Sequence, residues 1–416
     1  MKALFVTYGG GHVEMCLPVM RALRERLPDC DVRILALTTA YGVAQRAAES
    51  PLGYRDFDNH PEAAQALRFG EMLVSDDLHP EVLREESVAY LGFNILEWVT
   101  AYGEESAWAR WQQLGRHGFK PLNFFRFVLQ TLQPDIVVTT NSPRSEQAAI
   151  EAATALGIPS LSMVDLFALP GDPYLTRAVH ATRITVMAAA TQANLVAAGV
   201  DAQRIVVTGN PAFDQAMRPD ALSQGHALRQ RLGWPETAPV MLWAGALEPM
   251  DTPAHLAGPA LAQSVQARLL DLLQKYTALH LIVRYHPNTW QHFSRPPVHP
   301  RIYWSQPNQE GLLPSLVAAD VVLVQVSTVG VQAWSAGKEV WCLTSSPLVQ
   351  RSGMDFSRLG LARAIPTLDA LAVATATWLE SGATRSAGNA NGPPVLSAQS
   401  AGAAHAVAEE VIALLA

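Results

Sequence analysis

Residues 320–340 read DVVLVQVSTVGVQAWSAGKEV, and no other stretch constrains the fold as strongly. The apolar, β-branched run over 320–326 suits a strand buried on both faces. Ser327 and Thr328 follow as cap residues, and 330–336 has helical character closed by Gly337 and Lys338. A capped helix at the carboxyl end of a parallel strand aims free backbone N–H groups and a helix dipole at one point. That point is a ready anion site, with phosphate as its usual occupant. The same residues also suit an ordinary helix cap, so the choice depends on the other segments.

The chain opens in the same way. A buried-type strand over 2–8 runs into Gly9-Gly10-Gly11-His12 and a helix over 13–27. Strand, glycine turn and helix begin a doubly wound nucleotide-binding domain. The spacing is not the GxGxxG fingerprint, and no acidic residue ends the next strand over 31–37, which argues against a nicotinamide or flavin cofactor. Further strands are predicted over 135–140, 159–164, 183–187 and 204–208. A second α/β series begins at 239–244 and continues with strands over 280–285, 301–304 and 339–343.

At 416 residues the chain is too long for one core, so two domains are expected. The polar stretch 215–235, with Pro219, Gly225 and Pro235, is the expected linker. It separates an N-terminal domain over 1–214 from a C-terminal one over 236–400, with a last helix over 401–416. Residues 61–133 read as a helical insertion rich in aromatics, either a helix–helix core or a lid or acceptor surface near lipid-linked material. Residues 381–401, rich in Gly, Ala, Ser and Asn, read as a surface loop.

The net charge of −7 without a basic run argues against nucleic acid as a partner. Cys16, Cys30 and Cys342 are too scattered for a disulfide framework or zinc site and suit a reducing compartment. The N-terminus does not read as a signal peptide, and no apolar run is long enough to span a bilayer. The expected location is cytoplasmic, at most peripheral at the inner membrane face.

YGGGHVEMCLPVMRAL near the start, RIVVTGNPAFD, LHLIVRYHPN and LLPSLVAADVVLVQVSTVGVQAWSAGKEVWC occur in that order. On these segments the chain resembles the GT-B class of nucleotide-sugar enzymes. That class includes the UDP-N-acetylglucosamine 2-epimerases and bacterial capsule, lipopolysaccharide and teichoic-acid transferases. Residues 50–130 carry no part of the resemblance. It implies an α/β fold of two Rossmann-like doubly wound domains facing across a cleft, with nucleotide held by the second. Ser327, Thr328, Gly330 and His286 would meet the diphosphate, and Arg284 or His286 would offset leaving-group charge. Gln332 stands where many relatives carry a ribose-gripping carboxylate. Gly10, Gly11, Asn210, Gly245 and Glu248 complete the expected nucleotide-sugar set. Ala333 and Trp334 occupy the places of an acidic pair in the epimerases, which counts against a strict epimerase.

His12 ends a glycine turn and is the leading general base, since imidazole titrates near neutrality. Asp165, at a strand end, is the rival base or the partner of an imidazolium. Glu14, expected in the first helical turn, either orients His12 or favours the dipole. The expectation is a metal-independent glycosyltransferase acting on a nucleotide-sugar donor, UDP-linked by preference, and a glycan or lipid-linked acceptor. No Asp-x-Asp pair ends a strand, and Asp76-Asp77 lies outside the recognisable domains, so the sequence requires no metal. The alternative is a nucleotide-sugar epimerase or hydrolase drawing on Glu14, Glu146, Asp165 and Asp172. A third reading is a binding subunit without chemistry.

Overall fold

The computed structural model describes residues 1–75, 82–170, 180–217, 219–382 and 402–416. The chain divides into two compact units, Met1–Ala212 with Ala401–Ala416, and Phe213–Ser400.

The first unit is built on six parallel strands: β1 (Lys2–Tyr8), β2 (Asp31–Leu37), β3 (Ile136–Thr140), β4 (Ser160–Val164), β5 (Arg183–Val186) and β6 (Ile205–Val207). Their spatial order is β2-β1-β3-β4-β5-β6. The order reverses between β1 and β3, and open α/β sheets bind ligands outside the strand ends at such a point. Side chains alternate between two cores with the two-residue period of a strand. Leu4, Val6, Leu35, Leu37 and Val137 face one layer of helices, while Ala3, Phe5, Ile34, Ala36, Ile136 and Val138 face the other.

The second of these layers holds α1 (Gly10–Arg26), α2 (Thr39–Arg46) and the last helix, here α15 (Ala403–Leu415). Ala404, Val407, Ala408 and Val411 of α15 join the core around α1, so this helix completes the first unit although its sequence follows the second. The first layer holds the insertion: α3 (Ala63–Leu73), α4 (Arg84–Tyr102), α5 (Glu104–Leu114) and α6 (Leu122–Leu132), together with α7 (Ser145–Ala155). Its aromatics are mostly core. Tyr54 stacks on Phe124 at 4.2 Å, and Phe69, Tyr90, Phe93, Trp98, Phe119, Phe124 and Phe125 are buried. Helices α3 and α4 cross where Gly70 meets the Val88 carbonyl and Gly92 meets that of Ala66, approaches that leave no room for a Cβ. Helix α8 (Ala189–Ala197) packs beside β5 and β6.

In the second unit α9 (Pro219–Arg231) precedes β7 (Val240–Gly245), α10 (Ala260–Lys275), β8 (His280–Tyr285), β9 (Ile302–Trp304), α11 (Leu313–Ala318) and β10 (Val321–Val324). Then come α12 (Thr328–Ser335), β11 (Glu339–Leu343), α13 (Pro347–Ser352), β12 (Arg363–Ile365) and α14 (Leu368–Glu380). The strand order is β12-β11-β10-β7-β8-β9, all parallel, with its reversal between β7 and β10.

The expected linker over 215–235 is corrected here, because most of it is α9. That helix crosses α11 closely at Gly225, where a Cβ would come within 2.8 Å of Val317. The Arg229 guanidinium, 1% exposed, donates to the carbonyls of Ala318, Glu236 and Ala238 and pairs with Asp320 at 3.0 Å. A polar sequence reads as a linker, yet here its arginine is a buried anchor whose donors are met by backbone carbonyls and the Asp320 carboxylate. The surface-loop reading of 381–401 falls almost wholly outside the described residues.

Candidate functional site

In the first unit the predicted catalytic residues collect at the reversal between β1 and β3. Gly9, with φ of 85°, turns the chain from β1 into α1 in a conformation open to glycine. Gly10 and Gly11 are the first residues of α1. Gly11 is exposed, with no heavy atom within 4 Å of where a Cβ would stand, so the N–H groups of this helix start are not screened by a side chain there.

His12 follows in the first turn. Its Nδ1 meets the hydroxyl of Thr140, the last residue of β3, and its Nε2 lies 3.9 Å from Asp165 Oδ2 just beyond β4. The two side chains are 28% and 31% exposed, so both can reach a ligand. Beneath them Glu146, fully buried at the start of α7, takes three hydrogen bonds: from Tyr8 N at 2.7 Å, Thr140 Oγ1 at 2.6 Å and Ser142 N at 3.0 Å. Burial raises its pKa from the ordinary carboxylate value, while His12 and these donors pull it down. Three donors suit a carboxylate rather than a carboxylic acid.

Asp165 is braced through its backbone. Its N–H donates to Asn141 Oδ1 at 3.2 Å, and its carbonyl accepts from Asn210 Nδ2 at 3.1 Å. Asn210, 6% exposed, also accepts from Ala212 N at 3.0 Å. Asn210, expected in the nucleotide-sugar set, is therefore a brace for Asp165 within the first unit. Glu14 lies beyond the first turn in which it was expected. Helix α1 begins at Gly10, its first turn holds no acidic residue, and positions two apart on a helix do not face each other. The groups seen next to the His12 ring are Thr140 at Nδ1, itself held by Glu146, and Asp165 at Nε2. The signal for Glu146 was a carboxylate followed by Gln, Ala, Ala and Ile in a short helix three residues after a strand-end Thr-Asn-Ser. Asp172 and Asp76-Asp77 lie outside the described residues.

In the second unit the loops after β7, β8 and β10 meet at the corresponding reversal. Gln325, wholly buried after β10, accepts from Ala246 N at 2.7 Å and donates to Glu248. Glu248 is 3% exposed and also accepts from Ser346 Oγ and from Leu348 N at 2.8 Å. Both of its oxygens are engaged, so this expected nucleotide contact is a clasp joining three loops. Gln325 was missed because an amide inside an apolar run does not announce its partners.

Arg284 is likewise committed. Its guanidinium, 7% exposed, donates to Ser305 Oγ at 2.7 Å and the Glu310 carbonyl at 3.1 Å, and burial lowers its pKa. Gly245 lies under the Tyr285 ring and Gly330 against Phe356 and Val324, each where a Cβ would collide. These two glycines serve close packing.

His286, Ser327, Thr328 and Gln332 remain at the surface of this loop cluster. His286 is exposed, and its Nδ1 accepts from Asn288 N at 3.3 Å, which leaves Nε2 for a ligand. Ser327 caps α12 by accepting from Val329 N at 3.2 Å. Thr328 is exposed, and Gln332, one turn on, shares its helix face. Among the described residues no three His, Cys, Asp or Glu side chains are grouped to hold a metal ion, and no helix is long and apolar enough to cross a membrane.

No protein-family model matches this chain, and no curated protein matches its sequence. Solved structures do match over nearly its whole length. A putative UDP-N-acetylglucosamine 2-epimerase from Listeria monocytogenes has 14% identity and a TM-score of 0.60, covering 99% of this chain and 95% of that one. The UDP-GlcNAc 2-epimerase from Neisseria meningitidis bound to UDP-GlcNAc has 13% identity and a TM-score of 0.56, covering 99% and 100%. The glycotransferase of kitacinnamycin has 14% identity and a TM-score of 0.50, covering 100% and 99%. With its two six-stranded parallel sheets, each reversing once, the chain has the GT-B type of fold, two Rossmann-like units.

Proposed function

We propose that this protein transfers a sugar from a nucleotide-sugar donor to a hydroxyl acceptor, with His12 as general base. The observation that carries this reading is the wiring of His12. The single hydroxyl proton of Thr140 goes to Glu146, so Thr140 Oγ1 accepts from His12 Nδ1–H. Nε2 then bears the lone pair, on the side of the ring facing Asp165. This is the base-plus-orienter arrangement that activates hydroxyl nucleophiles.

In the proposed reaction Nε2 takes the acceptor's hydroxyl proton, and the acceptor oxygen bonds to the anomeric carbon. The bond from that carbon to the diphosphate oxygen breaks, and its electron pair leaves with the nucleoside diphosphate. Asp165 stabilises the imidazolium. The second unit holds the diphosphate with the N-terminus of α12, Thr328 and His286, and Gln332 faces the ribose. A UDP-linked donor is the natural first choice, since UDP-GlcNAc is the ligand named for the Neisseria protein.

The epimerase alternative draws on the fold likeness to epimerases. Elimination and re-addition of the nucleotide needs several acid/base groups around the sugar. Glu146 is wholly buried and holds three hydrogen bonds, which leaves His12 and Asp165 as the exposed pair in the cluster at the ends of β1, β3 and β4. One such pair suits a single deprotonation better. Incubation with UDP-, GDP-, CMP- and CDP-linked sugars tests the proposal. Absence of binding, transfer and donor hydrolysis with all of them sinks it, and deuterium uptake at the sugar 2-position in heavy water without acceptor transfers the assignment to epimerisation.

A further inference from the structure

A cavity of about 320 Å³ opens at the carboxyl ends of β1 and β2, on the far side of β1 from β3. Its wall includes Tyr8, Thr38, Glu86, Ser87, Tyr90 and Arg116, so the sheet supplies one side and α4 of the insertion the other. The Tyr90 side chain is 4% exposed, and its hydroxyl, which lies toward the Arg144 guanidinium, makes no well-formed hydrogen bond among the described residues. A buried hydroxyl left unpaired in a dry site is costly, so this one marks a place built for a hydrogen-bonding occupant.

The other groups narrow the class of that occupant. Glu86, 4% exposed, is held by Tyr54 N at 2.9 Å and Arg55 N at 3.2 Å. Each oxygen of that carboxylate therefore spends one lone pair on backbone and keeps acceptor capacity. Thr38 and Ser87 add hydroxyls, and Tyr8 and Tyr90 add ring surface. Glu86 offers acceptors and Arg116 donors, with Arg144 over the Tyr8 ring, a mixed lining that suits a ligand rich in hydroxyls. The volume lies at the low end of the range for small-molecule pockets, enough for one substituted ring.

We infer that this cavity binds a polyhydroxylated six-membered ring, a monosaccharide unit or a cyclitol, as the acceptor. The acceptor role rests on the transferase reading above; the binding class does not. Tyr8 ties the cavity to the base, because its backbone N–H bonds Glu146, which holds Thr140 against His12, and His12 lies four residues further along the same turn. The insertion thus supplies specificity to a site whose chemistry comes from the sheet.

The test is equilibrium binding to the full-length protein by saturation-transfer NMR and calorimetry. The probes are methyl glucoside, mannoside, galactoside and N-acetylglucosaminide, with myo-inositol. At least one ring should bind saturably. Tyr90→Phe should weaken it about tenfold, the effect of one lost hydrogen bond. Ser87→Phe, which fills the cavity, should abolish it, and thermal melts establish that the variants are folded. If Ser87→Phe does not fold, Tyr90→Phe alone decides. No ring binding, or binding indifferent to a folded variant, overturns the inference. A nucleotide-sugar titration on the same protein separates the two readings. Ring binding lost in the variants of a protein that takes no donor keeps the cavity and sinks the transfer reaction. Donor turnover with ring binding indifferent to the variants does the reverse.

Discussion

Thr140 donates its hydroxyl proton to Glu146 at 2.6 Å, and the same oxygen meets Nδ1 of His12. One proton cannot serve both neighbours, so its direction sets the imidazole tautomer. Neutral His12 should carry its proton on Nδ1, and 15N NMR of labelled histidine reads this directly. Thr140→Val removes the relay with little change in volume. It should lower turnover about 10–100-fold with donor affinity unchanged, as for a base that has lost its orienting partner. An Nε2–H tautomer in the wild-type protein contradicts this wiring.

His12 and Thr328 lie in different units and should fail differently. His12→Ala should cut turnover about 10²-fold or more while nucleotide affinity stays near normal. Thr328→Val should weaken donor binding by about 1–3 kcal/mol, the worth of a hydrogen bond to a charged group. The cap of α12 belongs to Ser327, so stability should hardly change. Calorimetric titration and initial rates on both variants check the split. If His12→Ala turns over normally, Asp165 is the base to test.

Asn210→Ala leaves the Asp165 carbonyl and Ala212 N–H without their partner. A loss of about 1–3 kcal/mol in denaturant unfolding is expected. Turnover should fall with it, because Asp165 loses its brace. Unchanged stability would show that water replaces the amide.

Glu248→Ala strips acceptors from Gln325, Ser346 and Leu348 N. The expected cost is about 3–5 kcal/mol, typical of a broken buried polar cluster, read as a lowered melting temperature of the second unit. A variant that melts normally but loses donor affinity restores Glu248 to the ligand site.

Glu86 has its pKa pushed up to about 7, chiefly by burial and with Asp56 adding to the rise, against the pull of the Tyr54 and Arg55 N–H groups and the Arg55 charge. Its folded pKa is above the unfolded value, so its favourable contribution is full below about pH 4.5 and is lost as pH rises through 7. Between pH 4.5 and 8 the stability difference from Glu86→Gln should move toward the variant by on the order of 3 kcal/mol. A pH-independent difference in melting would mean that Glu86 titrates as it does in the unfolded chain.

Most strands were legible because they are short runs rich in β-branched residues, and several run into Gly, Ser or Thr. The second sheet was read short by β12, since Arg363–Ile365 is three residues long with one buried side chain. Helix α9 was hidden by its polarity, because an anchoring arginine looks like a surface arginine until its carbonyl partners are placed. At the candidate site the strand-end residues His12 and Asp165 could be named from turn chemistry alone. Gln325, Glu248 and Arg284 could not be sorted in that way. Whether a buried polar side chain faces a ligand or a loop depends on partners 20 to 100 residues away, and spacing along the chain does not encode them.

The placement of α15 has a consequence for how the protein is made. The first unit is interrupted by the whole of the second, and the groove on α1 that takes Val407, Ala408 and Val411 belongs to residues near the opposite end of the chain. During translation residues 1–212 emerge with that apolar groove uncovered, and it stays so while all of 213–400 is synthesised. The second unit, contiguous in sequence, can close first. A nascent chain halted near residue 400 therefore presents the first unit with that face of α1 uncovered, and only residues 403–415 close it.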